Sequence, residues 1–196
     1  MQLQPTGTGW IEVICGSMFS GKTEELIRRC RLARIAKQTV VIFKPKMDKR
    51  YHERHIVSHS DRRMESFPIV HAEEILERVD DEVDVIGIDE AQFFGPELVD
   101  VCERLANQGM RVIVAGLDQD YRGKPFEPIP SLLAVAEFIT KNMAICVKCG
   151  NPANRSQRIS KSRQRVLVGA QDEYEARCRR CFNPDESDEQ EGEQDE

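Results

Sequence analysis

The chain has 196 residues, of which 40% are hydrophobic and 32% are charged, and its formal net charge is −6 at pH 7. This size and composition predict one medium-sized domain with a hydrophobic core, with room for a small appendage. No apolar run approaches the ~20 residues of a membrane span, and the N-terminus lacks the basic and apolar segments of a signal peptide, so we expect a cytoplasmic protein with no membrane partner.

The first predicted element is a strand over 10–15, which runs into a glycine-rich loop and then a helix over 24–36. The loop has the spacing G-x-x-x-x-G-K-[ST] of a phosphate-binding loop. Its backbone N–H groups are expected to face phosphate oxygens, Lys22 to reach the β- and γ-phosphates, and the Thr23 hydroxyl to ligate Mg²⁺. The loop residues are Gly16, Ser17, Met18, Phe19, Ser20, Gly21, Lys22 and Thr23.

Short apolar segments and helical patterns alternate along the rest of the chain. Segments 39–43, 83–88 and 111–115 predict buried strands. A helix between the last two ends at Gly109, and another follows Pro130. Their apolar faces are Leu98, Val101, Cys102 and Leu105 in the first, and Leu132, Leu133, Val135, Ala136 and Ile139 in the second. This alternation predicts an α/β fold with a mainly parallel sheet flanked by helices.

Residues 46–66 are polar and show little periodicity, which predicts a long loop. His52, His55 and His59 lie in it. Their spacing is compatible with a metal site, but no cysteine or suitable set of carboxylates accompanies them. A solvated loop is therefore the favoured interpretation.

The third predicted strand ends in Asp89 and Glu90. Parallel strands place their sites at their carboxyl ends, so these acids are expected beside the phosphate loop. Asp89 is then placed to hold Mg²⁺, and Glu90 to accept a proton from an attacking hydroxyl group or water. Two solvated carboxylates at a strand end are the alternative, which the nearby phosphate loop disfavours.

Four of the seven cysteines form two C-x-x-C pairs: Cys146, Cys149, Cys178 and Cys181. Four thiolates suit a tetrahedral, structural Zn²⁺ that holds both ends of residues 150–177. Disulfides are disfavoured for a cytoplasmic chain. The other three cysteines fall on apolar faces and are predicted core residues: Cys15, Cys30 and Cys102.

The negative charge is concentrated at the C-terminus. Residues 183–196 hold eight acids and no base, so removing those eight charges from −6 leaves +2 for residues 1–182. We expect a disordered acidic tail. The near-neutral body does not resemble a nucleic-acid-binding protein, and no nucleic-acid partner is predicted.

Together these motifs resemble those of type II thymidine kinases, the cytosolic, zinc-containing kind, over roughly residues 10–182. Asp48-Lys49-Arg50-Tyr51 resembles the D-x-R-Y of that family, and Leu117 to Phe126 resembles its segment after the fourth strand. Gly169-Ala170, followed by Tyr174, is similar to its lasso loop, which covers the nucleoside. The resemblance implies a P-loop NTPase-type sheet with a small zinc-binding lasso subdomain. Its expected parts are the ATP-binding domain 1–142, the lasso subdomain 143–182 and the tail 183–196.

The resemblance also implies a reaction in which ATP phosphorylates the 5′-hydroxyl of thymidine or deoxyuridine, in deoxynucleotide salvage for DNA synthesis. Glu90, Lys22 and Arg50 are the expected catalytic residues. Besides the phosphate loop, the implied nucleotide-binding residues are Asp48, Asp89, Glu90, Ala91 and Gln92. The implied nucleoside pocket contains Met18, Phe93, Leu117, Tyr121, Phe126, Ser156, Arg165, Val166, Leu167, Val168, Gly169 and Tyr174.

The family usually has phenylalanine where this chain has Tyr121, whose added hydroxyl group needs a hydrogen-bond partner. Packing in the core is the alternative role for Tyr121, Phe126 and Phe93. The implied cofactors are ATP with Mg²⁺ and one structural Zn²⁺. A homotetramer and feedback inhibition by dTTP follow from the resemblance alone.

Two other functions stay open at this stage. One is a different nucleoside kinase or small ATPase, which the segment after Leu117 and the lasso loop disfavour. The other is a zinc module that binds nucleic acid through its arginines: Arg163, Arg165, Arg177, Arg179 and Arg180. Stacking aromatic residues near the zinc are few, since only Tyr174 and Phe182 occur there.

Overall fold

The computed structural model of the chain describes residues 7–46, 55–57, 63–159 and 173–184. In chain order its strands are β1 (Trp10–Gly16), β2 (Val40–Pro45), β3 (His55–Val57), β4 (Arg63–Glu65), β5 (Phe67–Ile69), β6 (Val85–Ile88), β7 (Arg111–Gly116), β8 (Phe138–Asn142), β9 (Ala144–Ile145), β10 (Pro152–Ala153), β11 (Arg155–Arg158) and β12 (Tyr174–Arg177). The helices are α1 (Lys22–Ile35), α2 (Glu74–Arg78), α3 (Glu97–Asn107) and α4 (Ile129–Val135), and a 3-10 turn spans Ala91–Phe93.

Six strands form one parallel sheet in the spatial order β5-β2-β6-β7-β1-β8. Successive side chains of a strand point to opposite faces, and both faces are covered. Val13 lies in the cluster that includes residues of α2, α3 and α4, whereas Ile14 packs with Leu26 and Ile27 of α1. The central strands β2, β6, β7 and β1 are mainly apolar because both of their faces are buried, whereas the edge strand β8 is partly exposed. The α/β fold with a parallel sheet is therefore confirmed.

The strand order positions the site. β7 lies between β6 and β1, so the carboxyl ends of these three strands are neighbours. Cys15 pairs with Gly116, and Ile88 pairs with Val114. The phosphate loop after β1 and the acids after β6 therefore meet at the same edge of the sheet.

The interpretation of residues after Pro130 as one helix containing Ile139 is wrong at its C-terminal end. α4 ends at Val135, and Ala136 is extended, with φ −73° and ψ 137°. The backbone N–H of Glu137 then donates to Ile11 O, 3.1 Å away, and β8 continues as an edge strand beside β1. Pairing with β1 supplies backbone hydrogen bonds that a longer helix would have formed within itself, and it leaves the Ile139 side chain half exposed.

The prediction of one loop over 46–66 is also wrong in part. β3 and β4 pair antiparallel, with His55 opposite Glu65, and β5 joins the edge of the main sheet beside β2. Residues 47–54 and 58–62 lie outside the described ranges, so the interpretation of His52 and His59 stays a prediction.

The C-terminal lobe is small and carries the C-x-x-C pairs. It consists of two antiparallel strand pairs, β9 with β10 and β11 with β12. Its core is a cluster of small residues against which Phe19 of the phosphate loop packs: Ala144, Cys146, Ala153, Ala176 and Cys178. We call this region, residues 144–159 and 173–184, the zinc lobe, after the metal that its cysteines are expected to bind. None of the helices in the described ranges has the length and apolar character needed to cross a bilayer.

Candidate active site

The phosphate loop has the backbone that its glycines predict. Gly21 has φ 78° and immediately precedes α1, so the first N–H groups of that helix face the loop. Gly16 has φ 138°, and a Cβ atom there would lie 2.3 Å from Asn142 O of β8. Only glycine fits this approach between β1 and β8. The glycine turn and the N-terminus of α1 together form a concave site that can bind an anion.

The side chain of Lys22 folds back over the phosphate loop. Its Nζ donates to Ser17 O at 2.8 Å. Burial lowers the pKa of Lys22, while the negative charges of Glu90, Asp89 and Asp118 act in the opposite direction. The lysine is therefore held among acids at the place where phosphate groups would supply further negative charge.

Oxygen ligands at the end of β6 fit Mg²⁺. The Thr23 hydroxyl donates to the Asp89 carboxylate, 3.1 Å from Oδ2 and 3.2 Å from Oδ1. Hydroxyl and carboxylate oxygens are the hard ligands that Mg²⁺ accepts beside water and phosphate. Burial and the neighbouring Glu90 raise the pKa of Asp89 to about 7. A cation bound there would favour the ionised carboxylate.

Glu90 follows Asp89 in a left-handed backbone conformation, with φ 51° and ψ 40°. Left-handed geometry is uncommon for residues other than glycine, and it turns the chain sharply between β6 and the 3-10 turn. The consequence is that Asp89 is buried, whereas the adjacent Glu90 is exposed. One acid is thus directed at the phosphate loop and the next at solvent-accessible space.

Residues expected in a nucleoside pocket lie on two segments that follow β6 and β7. The rings of Phe93 and Phe126 meet edge to face, with centroids 6.3 Å apart. Leu117 immediately follows β7, and Tyr121 is buried a few residues later. The Tyr121 hydroxyl accepts a hydrogen bond from Arg122 Nε at 2.8 Å, so this tyrosine has the partner that its departure from the family pattern requires.

The zinc lobe docks on the segment after β7 and on the phosphate loop. Ser156 of β11 accepts the Met18 N–H at 3.0 Å, so its hydroxyl lies against the loop backbone. Arg158 of the same strand stacks on Tyr121, 3.7 Å from the ring centroid, and donates to the Tyr174 hydroxyl at 2.7 Å. The residues expected to bind the nucleotide and those expected to bind the nucleoside therefore contact the same lobe.

The four lobe cysteines fit a zinc ion. Their Sγ atoms lie within 4.8 Å of one another, and those of Cys149 and Cys178 are 3.6 Å apart. Zn–S bonds of about 2.3 Å separate sulfur ligands by about 3.8 Å in a tetrahedral site. Burial acts to raise the pKa of Cys146, but backbone N–H groups, that of Cys178 foremost, bring it down to about 6. The backbone N–H of Asn151 likewise lowers the pKa of Cys149, whereas a hydrogen bond with Cys149 raises the pKa of Cys181 to about 11, so the lowered thiol pKa values belong to the first C-x-x-C pair.

Comparisons with known proteins agree with this geometry. A family model described as thymidine kinase matches residues 9–182. A thymidine kinase from Rhodothermus sp. (strain ITI 518) is 62% identical over 176 residues, covering 90% of this chain and 82% of the relative. A thymidine kinase from Bdellovibrio bacteriovorus is 55% identical over 177 residues, covering 90% and 87%. The chain belongs to the thymidine kinase family.

Within this member of the thymidine kinase family, the structure brings together most of the residues that the sequence singled out. Asp48 and Arg50, and the lasso residues Arg165, Val166, Leu167, Val168 and Gly169, lie outside the described ranges. Their roles stay predictions. Arg177, counted above toward nucleic-acid binding, is buried and bonded to Glu175 and to Cys181 O, which weakens that alternative.

Sequence reasoning missed the role of Arg158, the bulkiest of the fully buried side chains among the described residues. It also treated Gln92 only as part of the nucleotide-binding segment. No motif marks Arg158, and Gln92 belongs to the segment Asp89-Glu90-Ala91-Gln92-Phe93-Phe94, whose pattern does not indicate what its side chain contacts. The feature that reveals these two residues is the burial of a long polar side chain beside an expected site. Burial is seen only once the fold of this thymidine kinase family member is known.

Proposed function

We propose that this chain is an ATP-dependent kinase that transfers the γ-phosphate of ATP to the 5′-hydroxyl of thymidine or deoxyuridine. The products are the nucleoside monophosphate and ADP, as pyrimidine salvage for DNA synthesis requires. Membership of the thymidine kinase family supports this proposal. The observation that carries it is the Thr23–Asp89 hydrogen bond, which joins the phosphate loop to the strand end that bears Glu90.

In the proposed reaction, N–H groups of the phosphate loop and Lys22 bind the phosphates of ATP. Glu90 accepts the proton of the 5′-hydroxyl as its oxygen bonds to the γ-phosphorus. The bond from that phosphorus to the β–γ bridging oxygen breaks, and ADP leaves. Mg²⁺ held near Thr23 and Asp89 would neutralise charge on the phosphates. Arg50, outside the described residues, is proposed to stabilise the transferring group.

We propose that the thymine ring lies between the segments after β6 and β7 and the zinc lobe. The aromatic pair Phe93 and Phe126, with Leu117 and Tyr121, supplies apolar walls. Met18, Ser156, Tyr174 and residues 165–169 complete the proposed pocket. Ser156 lies beside the backbone of the phosphate loop, where its hydroxyl group accepts a hydrogen bond from the Met18 N–H, and this contact supports its place in the proposed pocket.

Several finer features belong to the same proposal. One structural Zn²⁺ on the four lobe cysteines is supported by their spacing. The parts 1–142, 143–182 and 183–196, the homotetramer, dTTP inhibition and a cytoplasmic location rest on the family resemblance and sequence composition. Size-exclusion chromatography with light scattering measures the assembly, and an inhibition series with dTTP measures the regulation.

The deciding experiment measures ADP formation from ATP and Mg²⁺ with each common nucleoside in turn, and with none. We expect turnover with thymidine and deoxyuridine, and little with cytidine or purine nucleosides. Mass spectrometry should find the 5′-monophosphate as the second product. Equal ATP consumption without a nucleoside would identify an ATPase, and preference for another nucleoside would overturn the proposed pocket.

A further inference from the structure

The side chain of Gln92 bridges two strand ends in the site. It is 2% exposed and lies in the 3-10 turn that follows Glu90. Its Nε2 donates to Glu90 Oε2 at 2.6 Å, and its Oε1 accepts the backbone N–H of Leu117 at 2.9 Å. The first partner follows β6, and the second follows β7.

The donor and acceptor groups around Gln92 determine the orientation of its side-chain amide. The Leu117 N–H can only donate, so the amide oxygen of Gln92 must face it. The amide NH₂ group is then left for the carboxylate of Glu90, which accepts. Each end of the side chain therefore meets a partner of the correct polarity, and a reversed amide would place a donor against a donor.

The end of β7 leaves space for this bridge. A Cβ atom at Gly116 would lie 3.0 Å from Gln92 Oε1 and 2.5 Å from Ile129 Cδ1. A side chain at this position would displace the packed Ile129 and crowd the amide oxygen. Glycine at the last position of β7 thus lets the buried amide reach the Leu117 backbone.

Glu90 needs such a restraint. Its side chain is exposed, and a long exposed carboxylate samples several rotamers. A proton acceptor is effective only when it is held within hydrogen-bond reach of the reacting hydroxyl group. The bond from the buried Gln92 to Oε2 limits that motion and leaves Oε1 to take the proton.

We propose that Gln92 is a positioning residue that orients the Glu90 carboxylate for proton transfer and ties it to the Leu117 backbone. The proposal rests on the function proposed above for Glu90. It assigns Gln92 to the base rather than to direct binding of nucleotide. Its effect should therefore fall on kcat and depend on the presence of Glu90.

A double-mutant cycle with Glu90→Gln tests this dependence. Gln92→Met keeps the length of the side chain and removes both hydrogen bonds. We expect kcat to fall about 10- to 100-fold, as for a misplaced catalytic group, with both KM values within about twofold of wild type. In the Glu90→Gln background, the same change should lower kcat by less than about twofold.

Gln157 offers a matched control, because it is also buried and also bridges backbone. Its Nε2 donates to Asn183 O and its Oε1 accepts the Asn183 N–H, each at 2.8 Å. Gln157→Met removes a similar pair of bonds far along the chain from Glu90. Its effect on kcat, of whatever size, should be the same in the wild-type and Glu90→Gln backgrounds.

The possible results of this cycle distinguish the proposal for Gln92 from the proposal for Glu90. Full kcat in Glu90→Gln would refute the role of Glu90. Loss of kcat in Glu90→Gln together with an undiminished loss from Gln92→Met in that background would refute the inference about Gln92. If Gln92→Met does not fold, Gln92→Glu replaces it, because its carboxylate still accepts the Leu117 N–H. It places a second acid against Glu90, so unchanged kcat in that variant would equally overturn the proposal.

Discussion

The guanidinium group of Arg158 lies on the face of Tyr121, with Cζ 3.7 Å from the ring centroid. The same group donates to the hydroxyl of Tyr174, its partner across β11 and β12. The buried side chain of Arg158 therefore joins the segment after β7 to β12, the strand that begins at Tyr174. Both tyrosines belong to the proposed nucleoside pocket.

Arg158→Lys should raise the KM for thymidine about tenfold, because an ammonium group cannot both stack flat on Tyr121 and donate in the same fork geometry. We expect kcat and the KM for ATP to stay within about twofold. Steady-state kinetics with each substrate varied in turn measure the difference.

Arg177→Lys is the matched control for this change. Arg177 is equally buried in the zinc lobe, but it bonds Glu175 and Cys181 O. A general loosening of the lobe would raise the thymidine KM in both variants. That result, or an unchanged KM in Arg158→Lys, would contradict the role given to Arg158.

Glu90→Gln should retain ATP binding and lose most of its turnover. The amide keeps the shape of the side chain but cannot accept the proton, and loss of a general base typically lowers the rate about 10²- to 10⁴-fold. Single-turnover phosphorylation of thymidine measures the step directly. Glu97→Gln, which alters an acid in the first turn of α3, should keep nearly full activity. Nearly full activity in Glu90→Gln would leave positioning and electrostatics as the source of catalysis.

Cys149→Ser should lower bound zinc well below one ion per chain and destabilise the zinc lobe, since a neutral hydroxyl group is a poor zinc ligand. Because Ser156 bonds Met18 and Phe19 packs on the lobe core, the KM for ATP should rise together with that for thymidine. Elemental analysis and kinetics of the soluble variant measure both effects. Cys102→Ala, a change on the buried face of α3, should leave the zinc content unchanged. One zinc per chain in Cys149→Ser would remove Cys149 from the ligand set.

Glu12→Gln tests a buried ion cluster at the other end of β1. The Glu12 carboxylate accepts hydrogen bonds from Trp10, Arg29 and Arg111 at 2.7–2.8 Å. Burial acts to raise its pKa, but these partners, Arg111 foremost, hold the pKa of Glu12 below its usual value of 4.5. At pH 7 the substitution should lower the free energy of unfolding by about 2–4 kcal/mol, since Arg111 loses the carboxylate that it pairs with and Arg29 keeps only its ion pair with Glu25.

The pH dependence of that difference has a definite sign. A carboxyl group with a depressed pKa in the folded state stabilises the protein above its unfolded pKa, and this stabilisation is lost as pH falls through the folded pKa. The gap between wild type and Glu12→Gln should therefore shrink when urea unfolding is repeated below pH 4.5. Glu103→Gln, at an exposed position of α3, should show little difference at either pH. A gap that is constant with pH would refute the charge argument.

Much of the site could be predicted from local sequence. The phosphate loop, Asp89-Glu90 and the C-x-x-C pairs each depend on residues a few positions apart, so short-range backbone geometry determines what they can bind. The strands around them were recognisable because burial on both faces demands continuous apolar segments. Ile139 was misplaced because its segment suits a helix as well as an edge strand, and the open edge of β1 decided between them.

The sequence alone therefore determined which individual parts are present: a glycine-rich loop proposed to bind phosphate, two acids proposed to serve a cation and a proton, and four thiols that suit zinc. Only the tertiary structure decided how those parts are joined. Gln92 reaches Leu117 because β6 and β7 are neighbours, and Arg158 reaches Tyr121 because β11 pairs with β12 beside the segment after β7. Such contacts connect residues far apart in the chain, and they depend on strand order and on the packing of a separate lobe, which no local spacing encodes.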